Sequence, residues 1–132
     1  VYSYDVHGGS LEVARRNLRR CGLLDFVELR LGDVTERVLE RGLDSALLDL
    51  PEPWEALPAL REALRPGARV ISFSPTVNQV EKTVSRMEEG GFLHAETLEV
   101  LVRRMRVKGG MTRPENIMVA HTGYLVLAAR GA

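Results

Sequence analysis

Cysteine is nearly absent from this 132-residue chain, Cys21 being the only one. A single thiol closes no internal disulfide and builds no cysteine-rich metal site. No apolar run approaches the roughly 20 residues that cross a bilayer, and no secretory signal is visible, so we expect no membrane contact and a cytoplasmic compartment. Net charge is lacking as well: lysine plus arginine equals aspartate plus glutamate, 18 against 18. Global charge therefore favours no polyanionic partner, and only local clustering can. Internal repeats, low-complexity tracts and linkers are missing too, which leaves one domain. The apolar share of 45% is ordinary for a chain with a single buried core.

What is present is an alternation of two periodicities. Val1 to Val6 is β-prone and ends in the breaker His7-Gly8-Gly9. Ser10 is placed to cap a helix reaching about Arg20, with Leu11, Ala14 and Leu18 on one face and arginines on the other. Phe26 to Leu31 alternates like a half-buried strand, and a short helix is expected over Val34–Arg41. Ser45 to Leu50 is nearly continuous in apolar residues, as suits a strand buried on both faces. After Pro51-Glu52-Pro53-Trp54, the leucines at 57, 60 and 64 predict a helix that stops at Arg65-Pro66-Gly67. Val70 to Phe73 reads as a buried strand, and Val77, Val80, Val84 and Met87 mark a helix ended by Gly90-Gly91. Two long β-prone segments, about Glu96–Val107 and Ile117–Ala129, are joined by the polar stretch Lys108–Asn116 and predict an antiparallel hairpin. The expected class is therefore α/β, a doubly wound and mostly parallel sheet with a C-terminal antiparallel hairpin.

In doubly wound sheets, ligands sit beyond the carboxyl ends of the strands. Asp5, Asp33 and Asp49 fall at three such ends. A carboxylate can accept from two ribose hydroxyls at once or from an exocyclic base amine. The prolines after Asp49 remove backbone donors and stiffen the turn, leaving carbonyls and one carboxylate to face a planar base. Trp54 reads as a core anchor on either view. Arg103, Arg104 and Arg106, with Lys108 and Arg113, make a basic stripe on a neutral chain. Such a stripe suits phosphate contact, or else guards a strand edge against aggregation.

Tyr4-Asp5, Gly32-Asp33, Leu48 to Trp54, Asn78-Gln79-Val80 and His121-Thr122-Gly123-Tyr124 follow in this order over essentially the whole chain. Together they resemble the catalytic subunit of the tRNA (adenine-58-N1)-methyltransferase family, a Rossmann-like class I fold that inserts an antiparallel last strand. The resemblance implies methyl transfer from S-adenosylmethionine to N1 of an adenosine in the tRNA T-loop. It implies that Asp5, with Val6, binds the ribose of the cofactor and that Asp33, with Val34, binds its adenine. Asp49 would stand between cofactor and target base and carry the chemistry, as orienter of the base or as proton acceptor. Leu50, Pro51, Glu52, His121 and Thr122 would line the target nucleotide, and Arg103, Arg104 and Arg106 would meet the tRNA. By the same analogy the protein is a homo-oligomer, a tetramer.

The class I pattern places one more strand and a glycine-rich loop ahead of the strand that carries the ribose acid. Residues 1–132 are therefore expected to be a partial methyltransferase domain lacking that first strand and loop, inactive as an isolated fragment. The alternatives are a class I methyltransferase with another substrate and a non-catalytic RNA-binding subunit. The carboxylate at Asp49 favours the catalytic branch.

Overall fold

Two main sheets carry the alternation in the computed structural model, which describes residues 1–119 and 121–132. Strands β1 (Tyr2–Asp5) and β2 (Glu28–Leu31) pair in parallel, joined through helix α1 (Gly8–Arg20) and a 3-10 turn at Leu24–Phe26. The second sheet has β3 (Leu43–Leu48), β4 (Leu64–Ser74), β5 (Phe92–Glu99) and β8 (Tyr124–Arg130), hydrogen-bonded in the order β3-β4-β8-β5. Helices α2 (Leu57–Ala63) and α3 (Val77–Glu89) connect them, and β6 (Met105–Arg106) pairs with β7 (Arg113–Pro114) in a separate short hairpin. β8 runs antiparallel to both neighbours, so β3, β4 and β5 all point one way. The mostly parallel α/β class with an antiparallel last strand stands as the pattern implied.

The core lies on one face of the four-stranded sheet. Period-two alternation turns Ala68, Val70, Ser72 and Ser74 of β4 inward, where each is at most 1% exposed. Val126 and Ala128 of β8 share that face. Leu57, Leu60 and Ala63 of α2 and Met87 of α3 close over it, with Trp54 and Phe92. The other face is less covered: Leu47 is 72% exposed while its neighbour Leu48 is 4% exposed. The apolar run around Ser45–Leu50 is thus buried on one face only. Among the described residues β1 pairs only with β2 and β3 only with β4, so each has one side without a ladder.

Several boundaries differ from the expected ones, each for a local reason. α1 starts at Gly8, ahead of Ser10, because the Asp5 carboxylate accepts the His7 amide at 2.7 Å and the chain coils at once. Glycines are tolerated there, since first-turn amides have no intrahelical partner to lose. Val34–Arg41 is a turn followed by chain without regular structure and forms no helix. The Leu39 amide, which a helix would give to the residue four before it, donates instead to the Tyr4 hydroxyl at 3.2 Å. Leu64 leaves the helix to pair with Leu43, and the register then jumps to Ser45 opposite Arg69. The expected helix stop is therefore a bulge inside β4, with Gly67 at φ 77. The closing hairpin is real between β5 and β8, but β5 begins at Phe92 and ends at Glu99. Residues 100–104 and 115–119 carry no strand, nor do 121–123.

The segment after β2 is held by a polar cluster. Tyr4 donates its hydroxyl to Glu40 Oε2 at 2.6 Å while accepting from Leu39. Arg30 Nη2 lies 2.9 Å from Glu40 Oε1, within ion-pair range but without hydrogen-bond alignment, and the Arg30 guanidinium stacks 5.2 Å from the Tyr2 ring centroid. Burial, then the hydrogen bond to Glu40, raise the Tyr4 hydroxyl above the ordinary tyrosine value, so it remains a donor. Removing a hydroxyl that both donates and accepts strands two groups. Tyr4→Phe should therefore cost about 1–3 kcal/mol in denaturant unfolding. A loss under about 0.5 kcal/mol would show that water replaces the hydroxyl without penalty.

Candidate active site at the carboxyl edge of the sheet

The order β3-β4-β8-β5 brings four separate pieces of chain to one edge. β3 and β4 end there, at Leu48 and Ser74, β5 ends there at Glu99, and the antiparallel β8 begins there at Tyr124. Asp49 follows β3 directly and is exposed, with no hydrogen bond or ion pair among the described residues. Behind it the loop is anchored: Leu50 packs on the core, Pro53 is fully buried, and Trp54 is 8% exposed under the Lys82 ammonium. Pro51 and Glu52 are exposed at the tip. The stiff proline loop thus presents its carboxylate to solvent while its far end is locked in the core.

Across the edge, Thr122 is half-buried and donates its hydroxyl to Glu99 Oε1 at 2.6 Å, tying the start of β8 to the end of β5. His121 is exposed, its Nδ1 2.8 Å from the Thr122 carbonyl. Gly123 sits in close approach: a Cβ on it would lie 2.0 Å from the Phe73 ring of β4, so a larger residue there would require that ring to shift.

Asp5 and Asp33 close β1 and β2 at the matching ends of the two-stranded sheet. Asp5 Oδ1 accepts from the His7 amide, and Asp33 Oδ1 accepts from the Thr35 hydroxyl at 2.7 Å and amide at 2.8 Å. In both, Oδ2 has no protein donor among the described residues. Each carboxylate is thus fixed by one oxygen and leaves the other to accept from a hydroxyl or amine, the donors that a nucleoside carries. Val6 is exposed beside Asp5, whereas Val34 packs against the core. The basic residues are not gathered with these groups. Arg103, Arg104 and Arg106 are exposed on the arm around β6, interleaved with the exposed Val102, Met105 and Val107.

Sequence reasoning missed three contributors. Glu99 was hidden because the expected strand ran through it to Val107. Phe73 read only as a sheet residue. Gln79, which reaches the Pro51 carbonyl at 3.0 Å, had a legible signal in the spacing Thr76-x-x-Gln79 that marks a helix start. A cavity of about 470 Å³ lies away from the edge, lined by Trp54, Leu57, Pro58, Arg61, Arg86 and Glu89 among others, and contains none of the expected site residues except the base of the proline loop.

Comparison with known proteins gives a consistent picture. The family described as "tRNA methyltransferase complex GCD14 subunit" matches residues 1–113. The tRNA (adenine(57)-N(1)/adenine(58)-N(1))-methyltransferase of Methanocaldococcus jannaschii is 30% identical over 154 residues, covering 97% of this chain and 55% of that protein. A tRNA (adenine(58)-N(1))-methyltransferase of Thermus thermophilus is 34% identical over 131 residues, covering 98% and 51%. Among solved structures, a SAM-dependent O-methyltransferase from Thermotoga maritima superposes with a TM-score of 0.93 at 32% identity, over 100% of this chain and 50% of that one. The tRNA (m1A58) methyltransferase of Aquifex aeolicus gives 0.86 at 30% identity, over 100% and 53%. The chain spans about half the length of these two curated relatives.

The geometry at Asp33 makes a direct prediction. The Thr35 hydroxyl first, and then the Thr35 amide, hold its carboxyl below the ordinary aspartate value. With a depressed folded-state value, the turn adds to stability above the unfolded-state pKa and loses that addition as pH falls through the folded-state one. In an NMR titration the Asp33 carboxyl carbon should titrate below an aspartate of the unfolded chain, and Thr35→Val should move it upward. A midpoint unmoved by Thr35→Val would mean that the turn does not set the carboxylate.

Proposed function

Since the chain belongs to the tRNA methyltransferase complex GCD14 subunit family, we propose that it forms the base-facing half of an S-adenosylmethionine-dependent enzyme that methylates N1 of adenosine 58 in the tRNA T-loop. The observation that carries this reading is the exposed, unpartnered carboxylate of Asp49 on a core-anchored proline loop, at the same sheet edge as Thr122 and His121. The names borne by the relatives from M. jannaschii, T. thermophilus and A. aeolicus support it.

The free oxygens of Asp5 and Asp33 fit the nucleoside part of the cofactor. Asp5 would take ribose hydroxyls with Val6 alongside, and Asp33 the adenine amine, with Val34 backing the loop from the core. Bound S-adenosylmethionine supplies an electrophilic methyl group. The target adenine is oriented by the loop Leu50-Pro51-Glu52 on one side and by His121 and Thr122 on the other. Alkylation would form the N1–methyl bond as the methyl–sulfonium bond breaks, leaving S-adenosylhomocysteine and a cationic ring whose developing charge the Asp49 carboxylate offsets. At about 4 Å and an effective dielectric near 20, the attraction is roughly 4 kcal/mol before desolvation is subtracted. Asp49 also accepts a hydrogen bond from the exocyclic amine, which turns N1 toward the methyl group.

The arm around β6 and β7 fits two partners. Arg103, Arg104 and Arg106 offer phosphate contacts to tRNA in the cytoplasm. The exposed Val100, Val102, Met105, Val107, Ile117 and Val119 need apolar cover, and a second copy of the chain in a homo-oligomer would supply it.

Asp49→Ala in the full-length protein tests the reading. Methyl transfer to tRNA should fall about 100-fold or more, the scale of losing an electrostatic stabiliser, while affinity for S-adenosylmethionine changes by no more than several-fold. Activity within about threefold of wild type would remove Asp49 from the chemistry.

A further inference from the structure

Thr76 and Gln79 have the spacing of a capping box. In that motif the hydroxyl at the helix N-cap accepts the amide three residues on, and the side chain there bonds back to the N-cap amide. Here the first half is made: Thr76 Oγ1 accepts from the Gln79 amide at 3.4 Å. The second half is diverted. Gln79 Nε2 donates across the edge to the Pro51 carbonyl at 3.0 Å, and Gln79 Oε1 accepts from the Thr76 hydroxyl at 2.7 Å. A carbonyl can only accept, so the amide nitrogen must face Pro51 and the amide oxygen is left for the hydroxyl.

The helix end of this bridge is rigid. Thr83, fully buried, donates its hydroxyl to the Gln79 carbonyl at 2.7 Å, and Met87 one turn further on is fully buried. The loop end is not rigid by itself. Leu50 and Pro53 hold the loop on the core side, but the exposed tip at Pro51 and Glu52 lies between them, two residues from Asp49. Pro51 has no amide with which to tie itself down. Its carbonyl is the tip's handle, and Gln79 holds it.

We propose that Gln79 is a positioning residue for methyl transfer: by gripping the Pro51 carbonyl from α3, it sets where the Asp49 carboxylate stands relative to the target base. The inference rests on the methyl-transfer reading above. The Pro51 peptide is joined to Asp49 through Leu50 alone, so the grip acts on the carboxylate through one residue, and a misplacement of about 1 Å there can cost as much as about 100-fold in rate. Gln79 touches neither cofactor nor reacting atoms in this scheme, so cofactor binding should be indifferent to it.

The test uses the full-length protein with Gln79→Ala and Gln79→Met, the second keeping the side chain's length and bulk without its donor. Single-turnover transfer to tRNA should fall roughly tenfold or more in both, with the affinity for S-adenosylmethionine within about threefold of wild type. If Gln79→Met keeps the wild-type rate within about twofold, the role is packing and the proposal is overturned. A parallel loss of cofactor affinity would equally overturn it, marking a general structural role. If wild-type protein transfers no methyl group to tRNA, it is the substrate reading that fails. The grip is then judged by the crystal structure of Gln79→Met: residues 49–53 displaced support it, and the loop in its wild-type place overturns it.

Discussion

The insertion of β8 between β4 and β5 is the constraint on which the arrangement depends. Its antiparallel ladders place Tyr124 opposite both Ser74 and Glu99, and that register puts Thr122 and Gly123 just beyond the ends of the parallel strands. It also turns Val126 and Ala128 into the core against α2 and α3. A slip of one residue would send both to the other face and carry Gly123 away from the Phe73 ring that lies over it. Core packing and site geometry are thus fixed by the same pairing.

Around that register the polar contacts form a consistent set. Each acidic residue expected to meet a ligand stands at a strand end, yet each is treated differently by its surroundings. Asp5 and Asp33 are pinned by backbone amides through one oxygen, as suits groups that hold a ligand in place. Asp49 is left unpartnered on a loop whose two ends are held elsewhere, by Leu50 and Pro53 in the core and by Gln79 at the Pro51 carbonyl. On the proposed reading, a carboxylate that responds to charge developing on a base gains from having no protein donor to satisfy it beforehand. The rigidity is placed in the helix and in the loop's anchors at Leu50 and Pro53, and the charge is left free.

Much of this was legible in the sequence, for physical reasons. Apolar periodicity separates helix from strand where the segments are long, so α1, α3 and the order of strands could be read. The proline loop was legible because two prolines beside a strand-end carboxylate restrict the backbone whatever surrounds them. The failures are tertiary. No local pattern shows that Leu39 will give its amide to Tyr4, or that Leu64 will leave its helical face to pair with Leu43. The long β-prone segments hid the ends of β5 and β8, because β propensity runs past Glu99 while pairing does not. The sequence marks Gln79 only as part of the Asn78-Gln79-Val80 motif and assigns it no contact. Its diversion to Pro51 depends on a loop 28 residues away.

The central claim is that this edge presents a tRNA adenine to a methyl donor at N1, and nucleoside mass spectrometry tests it most directly. Unmodified tRNA would be incubated with the full-length protein and S-adenosylmethionine, digested, and compared with a transcript carrying guanosine at position 58. The account predicts 1-methyladenosine from the first substrate and none from the second. Methylation of another atom or nucleoside, equal methylation of both transcripts, or no transfer to tRNA would contradict it.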